Sequence, residues 1–377
     1  METRGSQYAG FFCPKPFETA YIDFAGEVHL CLCPEFLPTT VGNIAESSFE
    51  EVWNSDAARD IRGSILDGSY RYCDDGTCPF LKSGTLKKLD EVTDPIHQKI
   101  IAEGITSVPE RPKEIIAAYD PSCNLSCPAC RESTIVFKGN ALTKSQKIHD
   151  VVVNEVLSKD TEAMTLAGNG EPFFSQLFRS MLEELDQSRS PKLKISLITH
   201  GLLLTPAMWK RVKASHGAID RIGVSVNAAT AETYKVVQRG ADFARLLVNL
   251  DFIKTLRQDG SLPTLYLNFY VQQNNYKEMK DFIQMGRTYG VDQINFQVLL
   301  WAAHVAEEEF LRNAVHLDGH PDHDDFLETM KDPIFLDPIV SLGNLAPFLP
   351  QRSPVGGDVS ASSIRTRLLQ YVPENVQ

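Results

Sequence analysis

Eight cysteines occupy positions 13, 31, 33, 73, 78, 123, 127 and 130 of a 377-residue chain, and none follows Cys130. Thiolates crowded into one third of a long chain point to metal or cluster binding rather than to a disulfide scaffold. They fall into two groups. Cys123, Cys127 and Cys130 form C-x-x-x-C-x-x-C, whereas Cys13, Cys31, Cys33, Cys73 and Cys78 lie upstream. A [4Fe–4S] cluster ordinarily takes four thiolates. Three close thiolates therefore leave one iron without a protein ligand, an open position at which a small molecule can be activated. Structural zinc is the alternative, since it also uses Cys-x-x-Cys spacings, but its second knuckle would have to come from elsewhere in the chain.

These residues need elements to hold them. From about residue 112 short apolar runs alternate with amphipathic stretches. The pattern predicts strands at 114–119, 163–167, 193–199, 221–227, 264–271 and 293–299, with helices at 144–157, 174–185, 206–214, 242–256 and 276–289. Six such alternations imply parallel strands joined by right-handed crossovers, as a doubly wound sheet or a partial barrel. In both, chemistry belongs at the carboxyl ends of the strands. The triple-cysteine loop follows the first strand, Gly168-Asn-Gly170-Glu171-Pro172 the second, Thr199-His200-Gly201 the third and Ser225-Val-Asn227 the fourth. Taken singly these are weak: Glu171-Pro172 suits a helix start, and the two glycines suit a tight turn. A phosphate-binding Gly-rich loop fits poorly, because the run continues as Glu-Pro. Ser225 and Asn227 alternate along the expected strand and so face one way.

Residues 1–110 read differently. A hairpin is expected at 21–24 and 27–31, a helix at 48–66, then a loop from Cys73 to Cys78. The low apolar content of this α+β segment suggests an inorganic staple. Beyond residue 300, Pro321, Pro333, Pro338, Pro347 and Pro350 punctuate short helices; 351–363 reads as a linker and 364–371 as a peripheral helix. His316, His320 and His323, beside Asp324 and Asp325, have ligand-like content. The breaks at Gly319 and Pro321 favour a solvated loop, or one lining a substrate mouth.

Composition narrows the class. With 37 basic and 49 acidic side chains the formal charge is −12, which argues against a duplex nucleic-acid surface. No run approaches the ~20 apolar residues of a membrane span. The first 14 residues include Glu2 and no apolar stretch, so no secretory signal is expected and a cytoplasmic location is.

In these motifs the sequence resembles the radical S-adenosylmethionine (radical SAM) enzymes, whose C-x-x-x-C-x-x-C lies after the first strand of a partial (β/α)6 TIM barrel. Gly168 to Pro172 is similar to that family's Gly-Gly-Glu-Pro element. Thr199 to Gly201, Ser225 to Asn227, Glu232-Thr-Tyr234 and Arg239-Gly240 are similar to elements found in it. The resemblance implies a SAM-binding [4Fe–4S] cluster on Cys123, Cys127 and Cys130. It also implies SAM contacts at Gly168, Gly170, Glu171, Ser225, Asn227, Arg239, Asn268 and Val298. One position departs from the family: Ala129 stands where an aromatic residue usually precedes the third cysteine.

Upstream, Cys13-x12-Gly26-x4-Cys31 followed by Cys73-x4-Cys78 resembles the auxiliary-cluster pattern of SPASM and twitch domains, as do Gly42-Asn-Ile-Ala-Glu46, Glu51-Val-Trp53-Asn-Ser55 and the Arg62 region. This implies a second [4Fe–4S] cluster on Cys13, Cys31, Cys73 and Cys78, with Cys33 the alternative ligand and zinc the alternative metal. Most relatives carry that module after the barrel; here it precedes it. The expected division is an auxiliary domain over 1–110, a barrel over 111–302 and a C-terminal extension over 303–377. The implied activity is reductive cleavage of SAM and hydrogen abstraction, with net oxidation or epimerisation of a polar small molecule such as a sugar or cyclitol. A flavodoxin- or ferredoxin-type donor would supply the electron. Peptide maturation is one alternative; a zinc-stapled binding protein without catalysis is the other.

Overall fold

The computed structural model describes residues 7–166, 170–300 and 305–350, so Gly168 and the elements expected beyond 350 lie outside it. Two compact units divide the chain: Met1–Ser122 with Val136–Leu197 and Val212–Ile219, and Cys123–Ile135 with Ile198–Arg211 and Asp220–Gln377.

The first unit contains strands β1 (Phe11–Phe12), β2 (Thr19–Ile22), β3 (Val28–His29), β4 (Lys87–Lys88), β5 (Glu114–Ala117), β6 (Ala163–Leu166) and most of β7 (Lys194–Thr199). β2, β5, β6 and β7 pair in parallel in that order, and β3 returns antiparallel on β2. The hairpin is shorter than expected because the Asp23 carboxylate takes the Ala25 and Glu27 N–H groups at 2.8 and 2.9 Å and starts the turn early. β2 runs along the whole of β5, so residues on either side of position 110 share one unit.

The helix expected over 48–66 is in fact two, Phe49–Trp53 and Asp56–Leu66. Ser55 makes the break. Its side chain caps the second helix by accepting from Ala58 N–H, and its hydroxyl donates to the Val41 carbonyl at 2.7 Å. Asn54 spends its amide on both backbone groups of Val108. The expectation of little apolar content also needs correcting. Phe12, Cys13, Phe17, Ile65, Tyr70, Val92, Ile100 and Val108 form a buried cluster of their own.

The second unit contains β8 (Ile219–Ser225), β9 (Thr264–Val271), β10 (Gln293–Val298) and β11 (Val340–Ser341), the last not foreseen from the sequence. They pair in parallel, β9 and β10 over six residues. Leu265, Leu267, Phe269, Ile294 and Phe296 are fully buried, and the Phe269 ring lies 4.7 Å from Phe282 of helix Met279–Tyr289. The opposite face is polar, with Asn268 and Asn295 in register and joined by a 3.1 Å side-chain hydrogen bond. Burial of Leu246, Leu250 and Ile253 on helix Phe243–Gln258 follows their i, i+4 and i, i+3 spacing, while Leu247 beside them is half-buried. In both units strand follows helix as in an α/β fold of the partial (β/α)6 TIM barrel kind. Among the described residues no helix is long and apolar enough to cross a membrane.

Candidate active site

The triple-cysteine loop is closed at its neck: Cys123 N–H donates to Ile135 O at 2.8 Å and Ile135 N–H returns to Cys123 O at 3.2 Å. Inside the neck, Cys130 and Arg131 N–H both donate to Cys127 O, folding C-x-x-C into a turn. Three neighbours in the second unit hold it. His200 Nε2–H donates to Asn124 Oδ1 at 2.9 Å; Leu202 N–H donates to Nδ1, which fixes that tautomer. Ser126 N–H donates to Arg239 O at 3.1 Å, and Leu125 lies 3.7 Å from where a side chain on Gly240 would start. The Cys127 thiol donates to Gln238 Oε1 at 3.3 Å. Gln238 and His200 are thus the supports of the loop that sequence reading assigned no contact; His200 had only the Thr-x-Gly pattern as a signal.

The three thiols are electrostatic neighbours. Burial pushes the Cys127 thiol up to about 12, nearby Cys130 and Cys123 add to the rise, and Arg131 opposes it. Only the thiolate binds metal, so such a group ionises when cations compensate it. Donors are already in place for bound sulfurs: Leu125 N–H points at Cys123 Sγ (3.4 Å) and the Arg131 guanidinium at Cys130 Sγ (3.3 Å). The residues present fit a three-thiolate cluster. Among the described residues no three Cys, His, Asp or Glu side chains meet as around one ion, whereas a cubane seats each thiolate on a separate iron. Ala129 packs with Leu299, Phe310, Ala314 and Leu317, so apolar side chains from beyond β9 cover that corner.

The other expected SAM contacts of this unit sort unevenly. β8 ends at Ser225, and Asn227 sits in the left-handed region at φ 61°, so the two do not share a strand face as expected. The cause is a turn: Asn227 Oδ1 accepts Tyr270 N–H at 2.8 Å, and its carbonyl accepts Asn275 Nδ2 at 2.9 Å. Asn268 is half-buried on the polar face. Val298 lies with Ile294 and Phe296 on the buried face, and its N–H goes to Asn344 Oδ1. Arg239 reaches the cysteine loop by its carbonyl, while its side chain is exposed.

In the first unit the Gly170–Glu171 turn is tied to the chain just ahead of Cys123. Glu171 N–H donates to Ser122 O at 2.9 Å, and Ser175 Oγ–H to Asp120 Oδ2 at 2.5 Å. A Cβ on Gly170 would stand 2.2 Å from the Asp120 carbonyl oxygen, so only glycine fits. Glu171 is 1% exposed, and one oxygen accepts Phe173 N–H at 3.2 Å. A buried carboxylate beside a glycine turn suits the ammonium group of an amino acid.

The upstream thiols also lie in the first unit. Cys13, Cys31, Cys73 and Cys78 lie within electrostatic range of one another. Burial pushes Cys13 up to about 12 and Cys31 to about 11, and raises Cys73 and Cys78 as well. Four thiols in one place, three of them buried and that of Cys73 half-buried, match the donor set of a second cluster. The Cys33 thiol instead donates to the Glu35 carboxylate. Arg62, fully buried, donates to Pro16 O, Asn54 Oδ1 and Thr106 O at 2.9–3.0 Å and lies 4.6 Å from the Trp53 ring, pinning the helix that follows the hairpin.

The histidine segment does not assemble a metal site. His320 is engaged by Arg312 O and Asp322 N–H, and His323 by Val315 O and Asp318. His316 is 5% exposed rather than solvated; burial first, then His323 and His320, lower it to about 4.

Residues 120–286 match the family described as the radical SAM superfamily, and residues 13–79 match SPASM, an iron–sulfur cluster-binding domain. A Saccharolobus islandicus protein named probable GTP 3′,8-cyclase is 28% identical over 173 residues, 46% of this chain and 52% of that protein. The AdoMet-dependent heme synthase of Methanosarcina barkeri is 27% identical over 182 residues, 48% of each. The chain therefore spans about half the length of these curated relatives. The crystal structure of Streptococcus suis SuiB aligns at 15% identity with a TM-score of 0.40, covering 68% of this chain and 54% of that one. The cofactors that go with the two matched domains are [4Fe–4S] clusters and S-adenosyl-L-methionine. Residues 120–286, with the thiol loop, are thus a radical SAM superfamily segment, and residues 13–79, with the upstream thiols, are a SPASM iron–sulfur domain ahead of it.

Proposed function

We propose that this radical SAM enzyme removes a hydrogen atom from a polar small molecule, such as a sugar or cyclitol, in a net dehydrogenation or epimerisation. The observation that carries the reading is the closed loop that gathers Cys123, Cys127 and Cys130 with no fourth cysteine in it. When bound there, a [4Fe–4S] cluster with one iron open to SAM supplies one-electron cleavage of the sulfonium and a carbon-centred 5′-deoxyadenosyl radical. In this reading Cys123, Cys127 and Cys130 hold that cluster. Glu171 takes the ammonium of SAM, with Gly170 making room; Gly168 is proposed as a further SAM contact. Ser225, Asn227, Arg239, Asn268 and Val298 contribute contacts to its ribose and adenine, Val298 through its backbone. Cys13, Cys31, Cys73 and Cys78 hold the auxiliary cluster, with Cys33 outside it. The polar face of Asn268 and Asn295 supports a hydroxyl-rich substrate, because amides both donate and accept. A flavodoxin- or ferredoxin-type protein in the cytoplasm is the proposed electron source.

The test is anaerobic purification followed by incubation with dithionite, SAM and candidate metabolites. The protein is expected to carry about eight irons and eight acid-labile sulfides, by the four-thiolate rule for two clusters. Cys127→Ala is expected to abolish formation of 5′-deoxyadenosine while keeping about half the iron. Colourless protein holding zinc, or full cleavage of SAM by the variant, overturns the proposal.

A further inference from the structure

Two side chains address sulfurs of the triple-cysteine loop with opposite polarity. Arg131 is 6% exposed and points an N–H of its guanidinium at Cys130 Sγ, 3.3 Å away. A cation so buried is poorly screened by salt or water, and its field at the sulfur is correspondingly strong. Gln238 is 2% exposed and presents its carbonyl oxygen to Cys127 Sγ at 3.3 Å. Amide orientation is often ambiguous, but here it is fixed from the far side. Gln238 Nε2 faces two backbone carbonyls, Ser225 O at 2.6 Å and Val226 O at 3.3 Å. Turning the amide over would aim its oxygen at both of them. The Gln238 backbone is held as well, by Tyr234 O at 2.8 Å and by Ala241 N–H at 3.0 Å.

Cluster potentials respond to net charge, burial and hydrogen bonds to sulfur. A positive group stabilises the added electron, and the negative end of a dipole opposes it. We propose that Arg131 and Gln238 are positioning residues that set the reduction potential of the cluster on Cys123, Cys127 and Cys130, Arg131 raising it and Gln238 lowering it. This rests on the reading of that loop as the seat of a redox-active cluster. The pair lets the protein stabilise the thiolates through Arg131 without making the reduced cluster too weak a reductant. Gln238 also joins this balance mechanically to the end of β8, through the carbonyls of Ser225 and Val226.

The experiment is an EPR-monitored redox titration of the full-length, anaerobically loaded protein without SAM, scored on the triple-cysteine cluster. Arg131→Gln removes the charge and is expected to move the midpoint negative. Gln238→Met keeps the volume, loses the dipole and is expected to move it positive. At the wild-type midpoint the ratio of reduced to oxidised cluster should fall about tenfold in the first and rise severalfold in the second, tenfold being ~59 mV for one electron. Only loaded molecules contribute, so partial loading does not blur the ratio. Should either variant hold no cluster, Arg131→Lys and Gln238→Glu replace them. The lysine must titrate within about threefold of wild type, and the glutamate below it. Unmoved midpoints, or shifts of the same sign in the first two variants, overturn this inference alone. A wild-type protein with no reducible cluster in the loop overturns the functional reading beneath it.

Discussion

A glycine with no room for a methyl group is the most demanding residue of the turn proposed to hold SAM. Gly170→Ala would push a Cβ to 2.2 Å from the Asp120 carbonyl, and backbone rather than a flexible side chain would have to yield. The turn carrying Glu171 must then shift. We expect SAM affinity to fall at least about tenfold, equivalent to ~1.4 kcal/mol, with iron content unchanged. Titration calorimetry on loaded protein measures it, and wild-type affinity in the variant would show that Glu171 is not held by this turn. At this scale the spacing of Cys123, Cys127 and Cys130 was legible, because the three fall within eight consecutive positions. Gln238 was not. Its partner Cys127 is 111 positions away, and nothing local in V-V-Q-R-G announces a contact at that range. The Asn227 position misled for a related reason: alternation predicts a strand face, but the Tyr270 N–H captured its side chain and turned the backbone left-handed.

Helix caps and sheet ends decide how firmly these residues are held. Ser175 accepts from Phe178 N–H at the start of helix Gln176–Glu184, and its hydroxyl donates to buried Asp120. Ser175→Ala removes both, leaving a buried carboxylate oxygen without that donor. The expected cost is about 1–3 kcal/mol, read as a lower urea midpoint. A change within experimental error would mean that the Asp120 bond carries no weight. A second element, helix Phe243–Gln258, is tied to the start of β10 by Arg257, whose Nε and Nη2 grip Asp292 at 2.8 and 2.6 Å. The Arg257 hydrogen bond, aided by Leu265 N–H, holds the Asp292 carboxyl below its usual value against the pull of burial. A carboxyl lowered on folding contributes its stability fully above its unfolded value, about 3.9, and loses it as pH falls through the folded one. Asp292→Asn should therefore lower the thermal midpoint at pH 7 and by less at acid pH, once the folded carboxyl is protonated. An equal loss at both would assign the effect to packing. The six barrel strands were foreseen to within a few residues, since buried parallel strands write continuous apolar runs. The break at Asn54-Ser55 was hidden because both residues sit in a helix-like pattern, and only their distant partners, Val41 and Val108, reveal it.

For the molecule as a whole, the open question is whether its upstream segment needs iron to fold. Its composition suggested so, since few apolar residues stand together in any one run. The buried cluster from Phe12 to Val108 draws its members from scattered turns and short helices, which no periodicity displays. β2 along β5 adds backbone hydrogen bonds to that core. Cluster binding then stabilises a chain already folded, by mass action, instead of creating the fold as metal does in zinc fingers. Stripping iron anaerobically with a chelator should leave the far-UV circular dichroism largely intact while lowering the thermal midpoint. Cys33→Ser should retain wild-type iron, because its thiol is engaged by the Glu35 carboxylate. Collapse of the helical signal on chelation would return the clusters to the role of an obligatory staple. The buried core alone would then be too small to fold the segment.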